Sequence, residues 1–195
     1  LAENAVYMNA GNDGIFNQGD YILFYGKGPV TWYYNTVSGM FEHQEHLYSN
    51  AAYYFVTTDA GTGKKITPLQ MITGTPTMDI SDFDDYCRHE RNRYNLLESG
   101  RQWYGDRIDL NTFDSTFLFP NRLTSSAVKI KAGIVSRSSS AKNIMLYNGA
   151  NLIGAVSIPS VILSNTTGAY ANQKTSYLSF LSSDNDINIK VSYNR

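Results

Sequence analysis

Alternation of apolar and polar positions is clearest in the last third of the chain. In Val128-Lys129-Ile130-Lys131 and in Ile187-Asn188-Ile189-Lys190-Val191 every second residue is apolar, the period of a strand with one buried and one solvated face. Runs of this kind predict strands over Ser115 to Phe119, Ala127 to Ser136, Asn143 to Tyr147, Asn151 to Ile158, Thr175 to Phe180 and Ile187 to Tyr193. Turn chemistry separates them, notably Asn148-Gly149 and Ser183-Asp184-Asn185-Asp186, while Ser136 to Ser140 reads as a local turn too short to link domains. Short strands at such regular intervals predict a β-sandwich, Ig-like or jelly-roll-like.

The first 110 residues follow a different pattern. Tyr21-Ile22-Leu23-Phe24-Tyr25 is apolar throughout and too short for a helix, so it reads as a buried strand. Gly26-Lys27-Gly28-Pro29 then turns the chain into Val30-Thr31-Trp32-Tyr33-Tyr34, the expected return strand of a hairpin. A further strand is predicted over Tyr53 to Thr58, ended by the turn Asp59 to Gly63, and Ile66 to Thr77 reads as strand and loop. Ser81 to Leu97 partly follows helical spacing and is read as an extended arm. The whole is expected to be mainly β: an aromatic-rich hairpin and sheet region over 1–110, then a β-sandwich domain over 111–195.

Composition narrows the function classes. With 16 Lys+Arg against 17 Asp+Glu the net charge is -1, which gives no general field to draw in nucleic acid. No apolar run of about 18 residues and no basic stretch leading an apolar one is present, so neither a spanning helix nor a signal peptide is expected. A start at Leu1 is read as an excised or processed segment whose export signal lay upstream. The single cysteine, Cys87, cannot form an intramolecular disulfide and leaves the redox compartment open. At 195 residues the chain is long enough to bury roughly 70% of its unfolded surface without staples.

Four constellations carry possible chemistry. His43 and His46 with Glu42 and Glu45, and His89 with Glu90, could supply zinc ligands, yet they lack the geometry of a helical His-Glu-x-x-His site and read as hydrogen-bonded loop histidines. Cys87 and His89 could be nucleophile and base, although alternate strand positions point to opposite faces, so the thiol reads as mostly buried or inert. Asp79, Asp82, Asp84 and Asp85 lack the glycine and terminal glutamate of a calcium loop and read as a solvated face. Trp32, Tyr33, Tyr34, Trp103 and Tyr104 could stack on sugar rings or equally cover a sheet. No catalytic, cofactor-binding or metal-ligating residue is assigned and no cofactor is expected.

Two stretches, Gly19-Asp20-Tyr21-Ile22-Leu23-Phe24-Tyr25-Gly26-Lys27-Gly28-Pro29-Val30-Thr31-Trp32 and Ser99-Gly100-Arg101-Gln102-Trp103-Tyr104-Gly105-Asp106, resemble the non-catalytic region preceding the peptidase domain of type IX secretion system C-terminal-signal sortases. These belong to the gingipain-like cysteine peptidase family. His46, Tyr48, Ser49, Tyr53, Tyr54, Phe55 and Glu90 extend the match across about residues 10–110; residues 111–195 correspond only as a β-rich region in the right order. The resemblance implies an exported protein at the bacterial cell surface, associated with the outer membrane, whose catalytic histidine and cysteine lie beyond residue 195. It implies that this stretch is itself non-enzymatic and supports the peptidase domain of the same chain, positions cargo or contacts secretion components. The alternative from composition is an independent carbohydrate-binding or adhesive β-sandwich.

Overall fold

The computed structural model describes residues 2–11, 13–71, 73–97, 102–109 and 112–193, and it is built from strands with no helix among them. Contacts divide the chain into two compact units, Leu1–Phe83 and Asp84–Arg195. The boundary expected near residue 110 lies inside the second of these.

The first unit holds two separate antiparallel hairpins. Strand β1 (Val6–Asn9) pairs with β2 (Tyr21–Phe24), and β3 (Val30–Asn35) pairs with β4 (Met40–Glu45). This corrects the expected pairing of 21–25 with 30–34. The reason lies in Gly26 to Pro29, whose carbonyls are engaged elsewhere: Lys27 O accepts the Tyr54 hydroxyl at 2.7 Å and Pro29 O accepts His46 N–H at 2.9 Å. The β3–β4 reversal is made instead by Asn35, whose side-chain oxygen accepts the N–H of Val37 at 2.9 Å, while Gly39 takes φ +62 and donates to Asn35 O. A second correction concerns burial, because all four residues of β2 are exposed. Tyr53 to Thr58 joins no sheet, and among the described residues of 66–77 Ile66 flanks a parallel bridge between Val6 and Lys65.

The second unit matches its sequence pattern closely. Its strands are β5 (Phe113–Leu118), β6 (Val128–Ser136), β7 (Lys142–Asn148), β8 (Asn151–Ile158), β9 (Asn172–Phe180) and β10 (Asp186–Tyr193). One antiparallel sheet has the order β5-β10-β7-β8 and the other is the pair β6-β9. Ile144, Leu146, Val156 and Ile158 form the buried cluster, with Ala132 and Ile134 of β6 and Leu178 of β9 packed against it. Burial of each such aliphatic side chain contributes about 1.5–3 kcal/mol. Gly154 lies opposite Leu146 in the β7–β8 register, and a Cβ there would sit 2.8 Å from Leu178 Cδ2. A bare backbone at this point is what lets the second sheet approach.

Loops at one end are tied by Arg122. Its guanidinium donates to the carbonyls of Leu123, Ser126, Ser182 and Asp184, bridging the segment after β5 to the β9–β10 connection. The β7–β8 turn is held in the same region: Gly149 takes φ +58 and donates to Asn188 O, and Asn148 Oδ1 accepts Asn188 N–H at 3.1 Å.

Leu146 is 1% exposed and Leu152 55% exposed on neighbouring strands. Leu146→Ala is expected to cost about 2–5 kcal/mol of unfolding free energy, read by urea denaturation of the sandwich. Leu152→Ala is expected to cost a small fraction of that; equal losses would place the core elsewhere.

Candidate functional site

The aromatic-glycine motif near residue 100 closes a clamp within the second unit. Ser99, Gly100 and Arg101 lie outside the described residues; from Gln102 onward the chain runs back against 89–94. Tyr94 and Tyr104 form an antiparallel bridge, with Tyr94 N–H to Tyr104 O at 2.9 Å and the reverse bond at 2.8 Å. Arg93 N–H shares the Tyr104 carbonyl at 3.0 Å. Gly105 is required by close approach rather than by an unusual backbone angle, since a Cβ would meet Arg91 O at 2.7 Å and Arg91 N at 3.1 Å. The next residue, Asp106, accepts a 2.6 Å contact from His89 Nε2, and the His89 ring meets Phe113 edge-on at 4.7 Å. Arg107 turns to Asp109, with Nε 3.0 Å from Oδ1. Tyr104, Gly105 and Asp106 thus hold two chain segments together.

Two polar atoms of this clamp are buried without a hydrogen-bond partner among the described residues, Tyr104 Oη and Asn95 Oδ1. Burial also raises the Tyr104 phenol above the ordinary tyrosine range. An unpaired buried polar atom costs about 1–3 kcal/mol, so the clamp forms at the expense of these two groups.

Cys87 is exposed, so of the two readings expected for the thiol, mostly buried or inert, the first does not hold. Protein packed around the sulfur still pushes its pKa up, and the charge of Asp85 adds to that. Both effects disfavour the thiolate, the opposite of what a nucleophile needs. His89 is engaged by Asp106 and Phe113. The arrangement therefore leaves the Cys87 sulfur unactivated.

In the first unit the β3–β4 hairpin carries the aromatic candidates. Trp32 meets His43 with the rings tilted and their centres 5.0 Å apart, and Tyr34 meets Phe41 edge-on at 5.4 Å. These four rings share one face by register. On the opposite face Glu42 is buried and accepts hydrogen bonds from Asn35 Nδ2 and Ser38 Oγ, both at 2.9 Å. The sequence marked Glu42 only as a neighbour of His43; the Asn35-to-Ser38 turn was the signal that a carboxylate opposite it would be used internally. His46 accepts Tyr48 N–H at its Nδ1, consistent with a loop histidine. Tyr33, Tyr34 and Trp103 are each about half-exposed, and Asp79, Asp82, Asp84 and Asp85 are exposed.

No protein-family model matches the chain, and no curated protein matches it. Among solved structures it is similar to dimeric latent PorU from Porphyromonas gingivalis, with a TM-score of 0.71 and 23% identity over 98% of this chain. It spans 18% of the length of that chain. The likeness is one of fold.

Gly105→Ala is expected to destabilise the second unit by about 1–3 kcal/mol, the usual cost of forcing an added methyl into a packed site. Thermal unfolding, together with faster amide exchange at Tyr94 and Tyr104, reads this; an unchanged melting curve would remove the close approach as the reason for the glycine. For Cys87, a raised pKa means less thiolate at pH 7. Alkylation by iodoacetamide is therefore expected to run slower in the folded chain than in the urea-unfolded chain, the gap closing as the pH rises above 9. A faster folded reaction would show an activated thiol.

Proposed function

We propose that this chain is a non-catalytic segment of a type IX secretion C-terminal-signal sortase. The carrying observation is the shared fold with PorU, a sortase of that system, across nearly the whole of this chain and a small part of PorU. Both quoted motifs support the reading. Gly105 and Tyr104 build a local clamp in which a substitution is costly, and the turn from Gly26 to Pro29 docks Tyr54 and His46. The segment acts by supporting a peptidase domain further along the polypeptide or by positioning cargo for it. Neither role requires an active site here, in keeping with a Cys87 environment that disfavours the thiolate. Export to the outer surface of a bacterium belongs to the same proposal.

A second reading, a glycan-binding module, rests on the half-exposed Tyr33, Tyr34 and Trp103. Half-exposed rings on a hairpin can stack on sugars, and they can equally meet another protein surface.

Under the sortase reading, residues 1–195 leave a C-terminal-signal peptide intact, whereas the longer natural polypeptide cleaves it and loses that activity on alkylation of its catalytic cysteine. Mass spectrometry of the peptide reads both arms. Cleavage by residues 1–195 alone would count decisively against a non-catalytic segment, and silence on a glycan array would remove the second reading.

A further inference from the structure

Among the described residues of 2–83 not one apolar side chain is buried, and every described residue from 51 to 83 is exposed. The buried side chain of this unit is a carboxylate, Glu42. Ordering a backbone costs about 1–2 kcal/mol per residue, and a chain of this length ordinarily offsets that by apolar burial. Here the apolar residues are present, and most of them are exposed. The β1–β2 sheet carries them on both faces: Val6, Met8, Ile22 and Phe24 alternate with Tyr7, Tyr21 and Leu23. Leu23 is 56% exposed and Phe24 42% exposed on opposite sides. A sheet apolar on both sides belongs between two layers.

We infer that residues 2–83 hold their fold only when docked on a folded protein surface, apolar at its centre and basic at its rim, carried further along the same polypeptide. This rests on the proposed function. The sign of the rim follows from charge: apart from the buried Glu42, residues 1–83 carry seven carboxylates against three lysines, so a basic rim complements them. The same excess argues against a second copy of this unit, since pairing two units of equal net charge brings like charges together. A domain of the same chain is favoured because the fold occurs in PorU as 18% of a far longer chain, and a tethered surface is met at high effective concentration. The energetic logic is that of coupled folding and binding, in which the partner's surface completes the core.

Amide hydrogen exchange compares the 195-residue chain, at dilute and high concentration, with the natural polypeptide that continues beyond it. In the dilute short chain, 2–83 is expected to exchange at least tenfold faster than the sandwich strands. In the longer polypeptide that region is expected to slow at least tenfold. Leu23→Ser is expected to abolish the slowing while leaving exchange in the short chain unchanged. Slow exchange of 2–83 in the dilute short chain overturns the inference, because the unit would then fold unaided. Slow exchange that appears only as the short chain is concentrated overturns it in favour of a second copy. Fast exchange in the longer polypeptide, indifference to Leu23→Ser there, or a reading frame that stops at Arg195 also overturns it. A longer polypeptide that protects 2–83 yet cleaves no C-terminal-signal peptide supports the docking and rejects the sortase reading.

Discussion

Burial of Ile144 and Leu146 on β7 against Val156 and Ile158 on β8 is the constraint from which the second unit follows. These residues face one way because antiparallel pairing sets Ile144 beside Val156 and Leu146 beside Gly154. The glycine leaves a gap over the sheet, and Leu178 of β9 fills it. Ile187 and Ile189 of β10 extend the same buried layer, while the outward positions Lys190 and Asp186 stay in water. With the sheets held by this contact, the loops at one end can be fastened by a single guanidinium, Arg122, which satisfies carbonyls from two connections at once. A planar fork with several fixed donors suits that task in a way an ammonium does not.

The first unit is organised by different physics. Its order comes from hydrogen bonds and ring contacts: Asn35 in the β3–β4 turn, Glu42 bound to Asn35 and Ser38, Tyr54 on the Lys27 carbonyl, and Phe24 against Tyr54 with ring centres 5.2 Å apart. A net hydrogen bond contributes about 0.5–1.5 kcal/mol, so contacts of this kind choose among conformations more than they hold a unit together. One unit thus carries its own core, and the other keeps most of its apolar side chains exposed.

This contrast explains where residue patterns were legible. In 112–193 the six expected strands are present with ends shifted by at most a few residues, because each strand has one face in a core and one in water and the period of two is written into the side chains. In 2–83 the run Tyr21 to Tyr25 has no alternation to read, so its partner could not be inferred. The polar strand β4, Met40 to Glu45, has little apolar content to betray it, and Tyr53 to Thr58 has strand-like composition without a sheet to join. The candidate site was partly legible: Gly105 and Tyr104 stood out by spacing, but their role depended on Arg91 and Tyr94, which only the folded chain brings alongside.

By itself, the order of residues determined that the chain is mainly β, that its last eighty or so residues form a two-sheet sandwich, and that its lone cysteine could not form an internal disulfide. Those properties follow from local periodicity, turn chemistry and counting, which need no partner. Tertiary structure alone decided that β2 pairs with β1, that Glu42 is bound within a turn, that His89 is taken by Asp106, and that most apolar residues of 2–83 are exposed. Each of these depends on which distant segment arrives opposite a given side chain, a matter of three-dimensional register on which local pattern is silent.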